Sequence, residues 1–331
     1  MRVLLTGIDG FVGSHAADLL VAAGVDVHGT VLHFDDLRNI AHLRQSLTLH
    51  HADISDAGRI SALVRSLRPD RILHIAGQAF VPRSLQSPIE TFHTNLLGGL
   101  NILEASRQLL SESGKSPAVL IVSSGEVYGR VDPRRLPMTE EFPMMPKTPY
   151  AASKAGLDMI AQQYAECFGV QVIIVRPFNH AGPRQSPSFV VSDFAKQFAE
   201  IASGKREPVL HVGDIAAKRD FTDVRDVVRA YWALFEKRTD DFVFNVCSGH
   251  SMEIREILTG LKQISGLHVE ITQDPERLRS YDVAVVTASN DRLRRATGWL
   301  PRIPFHQTLR DVYAYWQEFL RSSPAAQPSS P

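Results

Sequence analysis

Met1-Arg2-Val3-Leu4-Leu5-Thr6-Gly7-Ile8-Asp9-Gly10-Phe11-Val12-Gly13 decides the architecture. Residues 3–6 are apolar or β-branched and too few for anything but a short buried strand. Residues 12–23 then carry a helical pattern that stops at Gly24, a usual C-terminal end. Between them lie glycines at 7, 10 and 13. Such a strand–turn–helix junction lets the backbone approach a pyrophosphate, which sits at the positive end of the helix. The spacing is Gly-x-x-Gly-x-x-Gly, and glycines also make ordinary tight turns. The place of this turn, at the first strand–helix junction, is what points to a nucleotide.

The same rhythm continues outward. Strands are expected at 25–31, 47–50, 71–75, 119–122 and 172–175. Helices are expected at 56–66, 89–110 and 150–168. Alternation of this kind implies an α/β fold, a Rossmann-like doubly wound parallel sheet covered by helices on both faces. After Arg176-Pro177 a Gly/Pro/Ser-rich stretch, 182–188, interrupts it. The division expected is a dinucleotide-binding domain over 1–177, with returns near 221–249, and a smaller mixed substrate lobe over 178–321. The helix at 224–235 and the strand at 243–246 are the segments expected to rejoin the sheet. Residues 322–331 are Ser, Pro, Ala and Gln, the composition of a disordered tail.

Composition removes several function classes. Lys+Arg and Asp+Glu are 36 each among 331 residues, so no basic excess points to nucleic acid. No apolar run approaches the ~18 residues of a membrane span. Two cysteines, Cys167 and Cys247, build no disulfide framework and favour a reducing compartment, here taken as the cytoplasm. The 13 histidines lack ligand spacing, and His50 and His51 lie on opposite faces of a strand, so no metal is expected. Cys167 reads as packing rather than as a nucleophile. Trp232, Trp299 and Trp316 read as core or lobe anchors.

The chemistry is carried by Tyr150-Ala151-Ala152-Ser153-Lys154. Residues four apart share a helix face, so phenol and ammonium point the same way. A nearby ammonium is expected to lower the phenol pKa and equip it for proton transfer. Alone, Tyr-x-x-x-Lys occurs on any helix. Upstream, however, Val122-Ser123-Ser124-Gly125-Glu126-Val127-Tyr128-Gly129 ends a strand, where a parallel sheet lines its ligand crevice. Ser124 there can hydrogen-bond the substrate oxygen that Tyr150 protonates. At the end of the second strand, Val31-Leu32-His33 holds no acid to bond a ribose 2′-hydroxyl. That leans toward NADP(H) and leaves NAD(H) open. His33 and Arg38 are the only cations nearby, and His33 reads equally as an exposed residue without a cofactor role. Asp53 is placed either to meet an adenine amino group or simply to cap the following turn.

Taken in this order, these motifs resemble the extended short-chain dehydrogenase/reductases that act on nucleotide sugars. The likeness runs from Met1 to about Phe319. It includes Ile75-Ala76-Gly77-Gln78, Thr94-Asn95-Leu96-Leu97-Gly98-Gly99 and Arg176-Pro177-Phe178-Asn179-His180-Ala181-Gly182-Pro183. The resemblance implies a catalytic set of Ser124, Tyr150 and Lys154, with Glu126 beside it. It implies cofactor contacts from Gly7, Gly10, Phe11, Val12, Gly13, His33, Asp53, Ile54, Ala76, Gly77 and Asn95, besides Tyr150 and Lys154. Substrate contacts would come from Ser124, Gly125, Asn179, Arg219 and Arg279. It further implies a GDP-sugar substrate and a homodimer paired through the helices at 89–110 and 150–168, with Leu96, Leu97, Leu100 and Leu103 as candidate packing residues. The reaction implied is reduction of the C4 keto group of GDP-4-keto-6-deoxy-D-mannose, giving GDP-D-rhamnose or its C4 epimer GDP-6-deoxy-D-talose. Dehydration of GDP-mannose and 4-epimerisation are the rival chemistries. In the family's 4,6-dehydratases a Glu at the position of Glu126 removes a proton, aided by a polar residue before it; Gly125 has no side chain to offer. A dinucleotide-sensing regulator on the same fold is the rival of another class, and it could dispense with Tyr150 and Lys154.

Overall fold

The computed structural model describes residues 1–237, 241–277 and 283–322. Strands β1 (Arg2–Thr6), β2 (Asp26–Val31), β3 (Leu47–His51), β4 (Arg71–His74), β5 (Ala118–Val122), β6 (Val172–Pro177) and β10 (Val243–Val246) form one seven-stranded sheet. Its order is β3-β2-β1-β4-β5-β6-β10, and every pairing is parallel. From β1 the strand order runs one way through β2 and β3 and the other way through β4, β5, β6 and β10, so β1 and β4 flank the switch point at which such sheets open a crevice at their C-terminal edge.

Successive strand residues point to opposite faces, and each face has its own helix layer. Leu5 and Leu120 face α1 (Phe11–Ala22) and α8 (Val224–Glu236), burying Ala16, Leu20, Val227 and Tyr231. Leu4 and Ile121 face the other way, onto α2 (Ala57–Leu67), α5 (Gly98–Ser113) and α6 (Pro149–Phe168), with Ile60, Ile102, Leu103 and Leu157. Segments 224–236 and 243–246 are thus packed with the main sheet.

The helix expected over 89–110 is not one α-helix. Short helices α3 (Val81–Gln86) and α4 (Pro88–Phe92) precede a wide π turn, His93–Leu97, which runs straight into α5. Pro82 and Pro88 at first-turn positions explain the two separate starts, since proline fixes φ and needs no partner for a missing N–H there. Buried Asn95 sits inside the π turn.

The remaining elements form a second body of structure. Strands β7 (Asn179–Ala181), β9 (Lys218–Asp223) and β11 (Ser251–Glu253) make a three-stranded sheet, and β8 (Val209–Val212) pairs with β12 (Glu270–Gln273). Helices α7 (Val190–Ala202), α9 (Ile254–Ser265) and α11 (Phe305–Ser322) pack around Phe194, Phe198, Leu258, Leu261 and Val312. Trp316 is buried there, its indole N–H donating to Ser192 Oγ at 2.9 Å. Trp299, just after α10 (Asp291–Thr297), is buried against α8 and donates to the Asp226 carbonyl at 3.0 Å, while Trp232 is only partly buried. Cys247 is buried, but Cys167 is exposed rather than packed, in the last turn of α6 where residues 166–168 are all exposed. The expected tail over 322–331 lies outside the described residues beyond Ser322. No helix among the described residues is long and apolar enough to cross a membrane.

Candidate active site

The glycine turn is built by close backbone approach. Gly7 has φ +69°, a left-handed conformation that a side chain would strain, and a Cβ there would meet Ala76 Cα at 3.0 Å. A Cβ on Gly13 would stand 2.0 Å from the Gly7 carbonyl oxygen. Gly10 is looser, with its nearest contact at 3.3 Å. Thr6 Oγ1 accepts from the Ala76 N–H at 3.2 Å and contacts His74 Nδ1 at 2.9 Å, tying the ends of β1 and β4 together. Burial pushes His74 down to about 3, and the nearby Lys154 charge adds to this, so the ring is neutral. The N-terminus of α1 has no side-chain cap and no acidic residue in its first turn. Its free N–H groups and the side-chain-free cradle fit a dinucleotide pyrophosphate. The Phe11 ring, in this turn, lies parallel to His180 (centroids 5.9 Å apart, interplanar angle 9°), which joins the turn to β7. Val12 is partly buried beside it.

At the adenine end the residues divide. His33 is exposed, on a loop that also holds Asp35 and Asp36. Arg38 is engaged with Asp36, Nε to Oδ1 at 2.8 Å. Asp53 accepts at Oδ1 from the Ser55 N–H (2.8 Å) and hydroxyl (2.7 Å), and these bonds hold its carboxyl below the usual range. It therefore builds its own turn, while Asp56 caps α2 by accepting from Arg59 N–H at 2.9 Å. Ile54 is buried, close enough to Gly98 that a Cβ on that glycine would meet Ile54 Cδ1 at 2.7 Å.

Thr148-Pro149-Tyr150 opens helix α6. Thr148 Oγ1 accepts from the Ala151 N–H at 3.1 Å, and Pro149 occupies the first helical position. This start sets Tyr150 and Lys154 at the C-terminal edge of the sheet. Lys154 is buried and donates from Nζ to the Val122 carbonyl at the end of β5, at 2.8 Å. Burial lowers its pKa to about 8. Tyr150 departs from the sequence expectation. Burial raises its phenol to about 12, hydrogen bonding with Ser124 pulls it down, and the Glu126 charge pushes it up. The ammonium spends a donor on a carbonyl, and desolvation dominates the phenol.

Ser124 is buried, and its Oγ accepts from the Glu126 N–H at 3.1 Å, opening the 3-10 turn Gly125–Tyr128. Glu126 is exposed at the crevice. A Cβ on Gly125 would stand 2.9 Å from the Phe178 ring, so that ring fills the space a side chain would need. Asn95 donates from Nδ2 to the Gln78 carbonyl and to Ser153 Oγ, both at 3.0 Å, and accepts from the Gln78 N–H at 2.7 Å. A Cβ on Gly77 would meet Asn95 Oδ1 at 2.9 Å and Lys154 Nζ at 3.5 Å. Sequence reading passes over Ser153 and Gln78 as parts of this knot, though both lie inside the motifs quoted above.

Asn179 opens β7 and is exposed. Arg219, on β9, donates to the carbonyls of Lys218 (3.0 Å) and Val283 (2.6 Å). Arg279 lies outside the described residues. The structure thus gathers Ser124, Tyr150, Lys154, Glu126, Gly77 and Asn95, and sets the glycine turn one strand away. His33 lies near Asp9 of the glycine turn.

Residues 4–312 match the family model described as GDP-mannose 4,6 dehydratase. The chain is 38% identical over 322 residues to GDP-6-deoxy-D-mannose reductase of Pseudomonas aeruginosa, covering 97% of this chain and 98% of that one. Among solved structures it is similar to RMD from Pseudomonas aeruginosa complexed with NADPH, with TM-score 0.82, 37% identity, and 96% and 99% of the two chains covered. The UDP-glucose 4-epimerase of Thermus thermophilus, in complex with NAD, matches with TM-score 0.83 and 32% identity, covering 96% and 99%.

Proposed function

Because the chain belongs to the GDP-mannose 4,6-dehydratase family and is an oxidoreductase of the extended short-chain dehydrogenase/reductase type, we propose that it reduces the C4 keto group of GDP-4-keto-6-deoxy-D-mannose with NADPH. The observation that carries this reading is the convergence of Ser124, Tyr150 and buried Lys154 at the sheet edge beside a side-chain-free glycine cradle. A nicotinamide dinucleotide bound at that cradle supplies the hydride for C4. Tyr150 delivers a proton to the C4 oxygen, so the ketone becomes a secondary alcohol. The raised phenol pKa suits this role, since the group stays protonated and able to donate at neutral pH. Ser124 orients the same oxygen. Lys154 binds the ribose next to the nicotinamide, and Asn95 holds Gln78 and Ser153 so that the floor of the crevice keeps its shape. The face of C4 presented to the hydride decides between GDP-D-rhamnose and GDP-6-deoxy-D-talose.

Support for reduction over dehydration comes from Gly125. Elimination of water needs a base at C5 and an acid at C6, and Phe178 fills the space of any side chain ahead of Glu126. The dehydratase reading draws on the family model and on Glu126, whose charge reaches Tyr150. For the cofactor, NADPH is favoured by the lack of an acid at Val31 and by the NADPH-bound Pseudomonas relative, while the NAD-bound epimerase keeps NADH as a second substrate. Residues 1–177, with 221–249, serve the dinucleotide, and 178–321 serve the sugar nucleotide. The protein works in the cytoplasm as a homodimer. Of the leucines expected to pair the subunits, Leu103 is in the core, but Ile89 is 84% exposed on an apolar groove it lines with Phe92, Leu96 and Leu97, and Met159 on α6 is 61% exposed. A second copy of α4 and α6 would cover them.

The test is incubation with GDP-4-keto-6-deoxy-D-mannose and NADPH, with the product sugar identified by NMR. A C4 alcohol, formed with one NADPH consumed per sugar, is expected. Rapid dehydration of GDP-mannose without added cofactor would replace the reductase reading with the dehydratase one.

A further inference from the structure

Under Ser124 and Glu126 lies a buried polar cluster for which the proposed reduction has no use. Tyr128 closes the turn Gly125–Tyr128 and is 1% exposed. Its hydroxyl donates to Asn245 Oδ1 at 2.7 Å and accepts from Arg176 Nη1 at 3.0 Å. The Arg176 guanidinium also lies over the Tyr128 ring, 5.2 Å from its centroid. From Nε and Nη2 the same guanidinium grips both oxygens of Asp158, at 2.8 and 3.1 Å. Asp158, Arg176 and Asn245 are all buried. Glu140 joins from a fifth segment: its carbonyl accepts from Arg176 at 3.2 Å and its carboxylate from the Asn245 N–H at 2.7 Å.

The positions of these residues matter more than their number. Asp158 follows Lys154 by four residues and Tyr150 by eight, so the three share one face of α6. Arg176 is on β6 and Asn245 on β10. Backbone bonds shape the turn itself, Val127 N–H to Ser124 at 3.2 Å and Gly129 N–H to Glu126 at 3.1 Å. The Tyr128 hydroxyl adds the link from that turn, through Arg176 and Asp158, to the helix bearing the acid.

We propose that Tyr128 is a positioning residue: its hydroxyl, held between Arg176 and Asn245, fixes the turn carrying Ser124 and Glu126 in register with the helix carrying Tyr150 and Lys154. A loosened turn lets Ser124 leave the phenol it hydrogen-bonds, and the substrate oxygen loses one of its two partners. The kinetic consequence rests on the reduction proposed above; the structural link does not.

Tyr128→Phe keeps the ring, its stack on Phe178 (6.2 Å, 21°) and its contact with the guanidinium, and deletes only the hydroxyl. Two measurements are read. In steady-state reduction, kcat falls about five- to tenfold, the kinetic equivalent of one buried hydrogen bond, while KM for NADPH stays within about twofold and each chain still binds one NADPH. In amide hydrogen exchange, residues 126–129 exchange faster by a similar factor while β1 and β4 are unchanged. Tyr164→Phe, on the same helix, loses a hydroxyl bond to Glu104 (3.1 Å) and serves as the control that leaves kcat and the turn unaltered. If Tyr128→Phe does not fold, Asn245→Ala removes the acceptor from the other side and is read in the same two ways. A kcat within twofold of wild type, unchanged exchange at 126–129, or exchange raised equally across the sheet overturns the proposal. Should wild type fail to reduce the keto sugar, the proposed function falls, and exchange alone decides the link.

Discussion

Gly10 and Gly13 belong to one motif, yet replacing each with alanine should separate cofactor binding from folding. A Cβ on Gly13 would stand 2.0 Å from the Gly7 oxygen and 2.9 Å from Gly7 C and Ile8 Cα. All three are backbone atoms, and the first distance is about 1 Å shorter than any contact a real Cβ makes. The turn must open or α1 must slide off the sheet, and overpacking of this kind typically costs ~1–3 kcal/mol. For a chain of this size about 2 °C of Tm accompanies each kcal/mol, so Gly13→Ala should melt roughly 2–6 °C lower without ligand. Gly10 has φ −72° and one close contact, the Gly7 oxygen at 3.3 Å, so an alanine needs a shift of a few tenths of an ångström where Gly13 would need about 1 Å. Gly10→Ala should therefore keep its ligand-free Tm within about 1 °C. It nonetheless puts a methyl where the pyrophosphate must approach, and NADPH affinity should fall at least ~10-fold, about 1.4 kcal/mol. Thermal melts without ligand, paired with fluorescence titration of NADPH, read both quantities. Equal melting of the two variants, or Gly10→Ala binding NADPH like wild type, would refute the close-packing account of this turn.

Other expectations follow from the site. Glu126→Gln should leave reduction within roughly tenfold, about 1.4 kcal/mol of barrier, because Tyr150 supplies the proton; Tyr150→Phe should lower it ~10²–10⁴-fold with NADPH binding retained, both read in steady-state assays. The pH profile should fall on the alkaline side near 8. The Lys154 ammonium, its pKa lowered to about 8, is charged below that pH and neutral above it, whereas Tyr150, raised to about 12, keeps its proton throughout. Lys154→Arg should move that limb upward. Light scattering at micromolar concentration should give a dimer mass for wild type and a smaller one for Ile89→Glu, which places a charge on an 84% exposed apolar residue.

Much of the fold is legible because its signals are local. β-branched runs such as Val119-Leu120-Ile121-Val122 announce strands wherever they fall, and Gly24 and Gly169 mark helix ends. What escapes reading depends on partners far away in sequence. The Asp158–Arg176 pair spans 18 residues and the Tyr128–Asn245 bond 117, and no spacing rule connects them. Helix α3 is six residues long and begins at a proline-containing turn, too short for a periodic pattern. The Tyr150 shift runs opposite to the sequence expectation for a related reason. A sequence places Lys154 on the same helical face, but the depth of burial and the Val122 carbonyl that takes the ammonium belong to the folded sheet.

The π turn at His93–Leu97 has a consequence for how this chain tolerates length changes. An ordinary α-helix advances ~100° per residue. The wide turn takes up one extra residue locally, so the segment before it and α5 after it stay in phase. Thr91, Asn95, Gly99 and Ile102, spaced four, four and three apart, all lie on the buried side while Ile89 and Leu97 remain outside. Losing one residue at 96 or 97 would close the turn to α geometry and leave α4 and α5 facing as they do now. The same loss in the first turn of α5, which holds no spare residue, would turn everything upstream by about 100°, take Asn95 out of its knot with Gln78 and Ser153, and carry Ile89 toward the sheet. The segment therefore absorbs a one-residue deletion inside the turn and nowhere beside it.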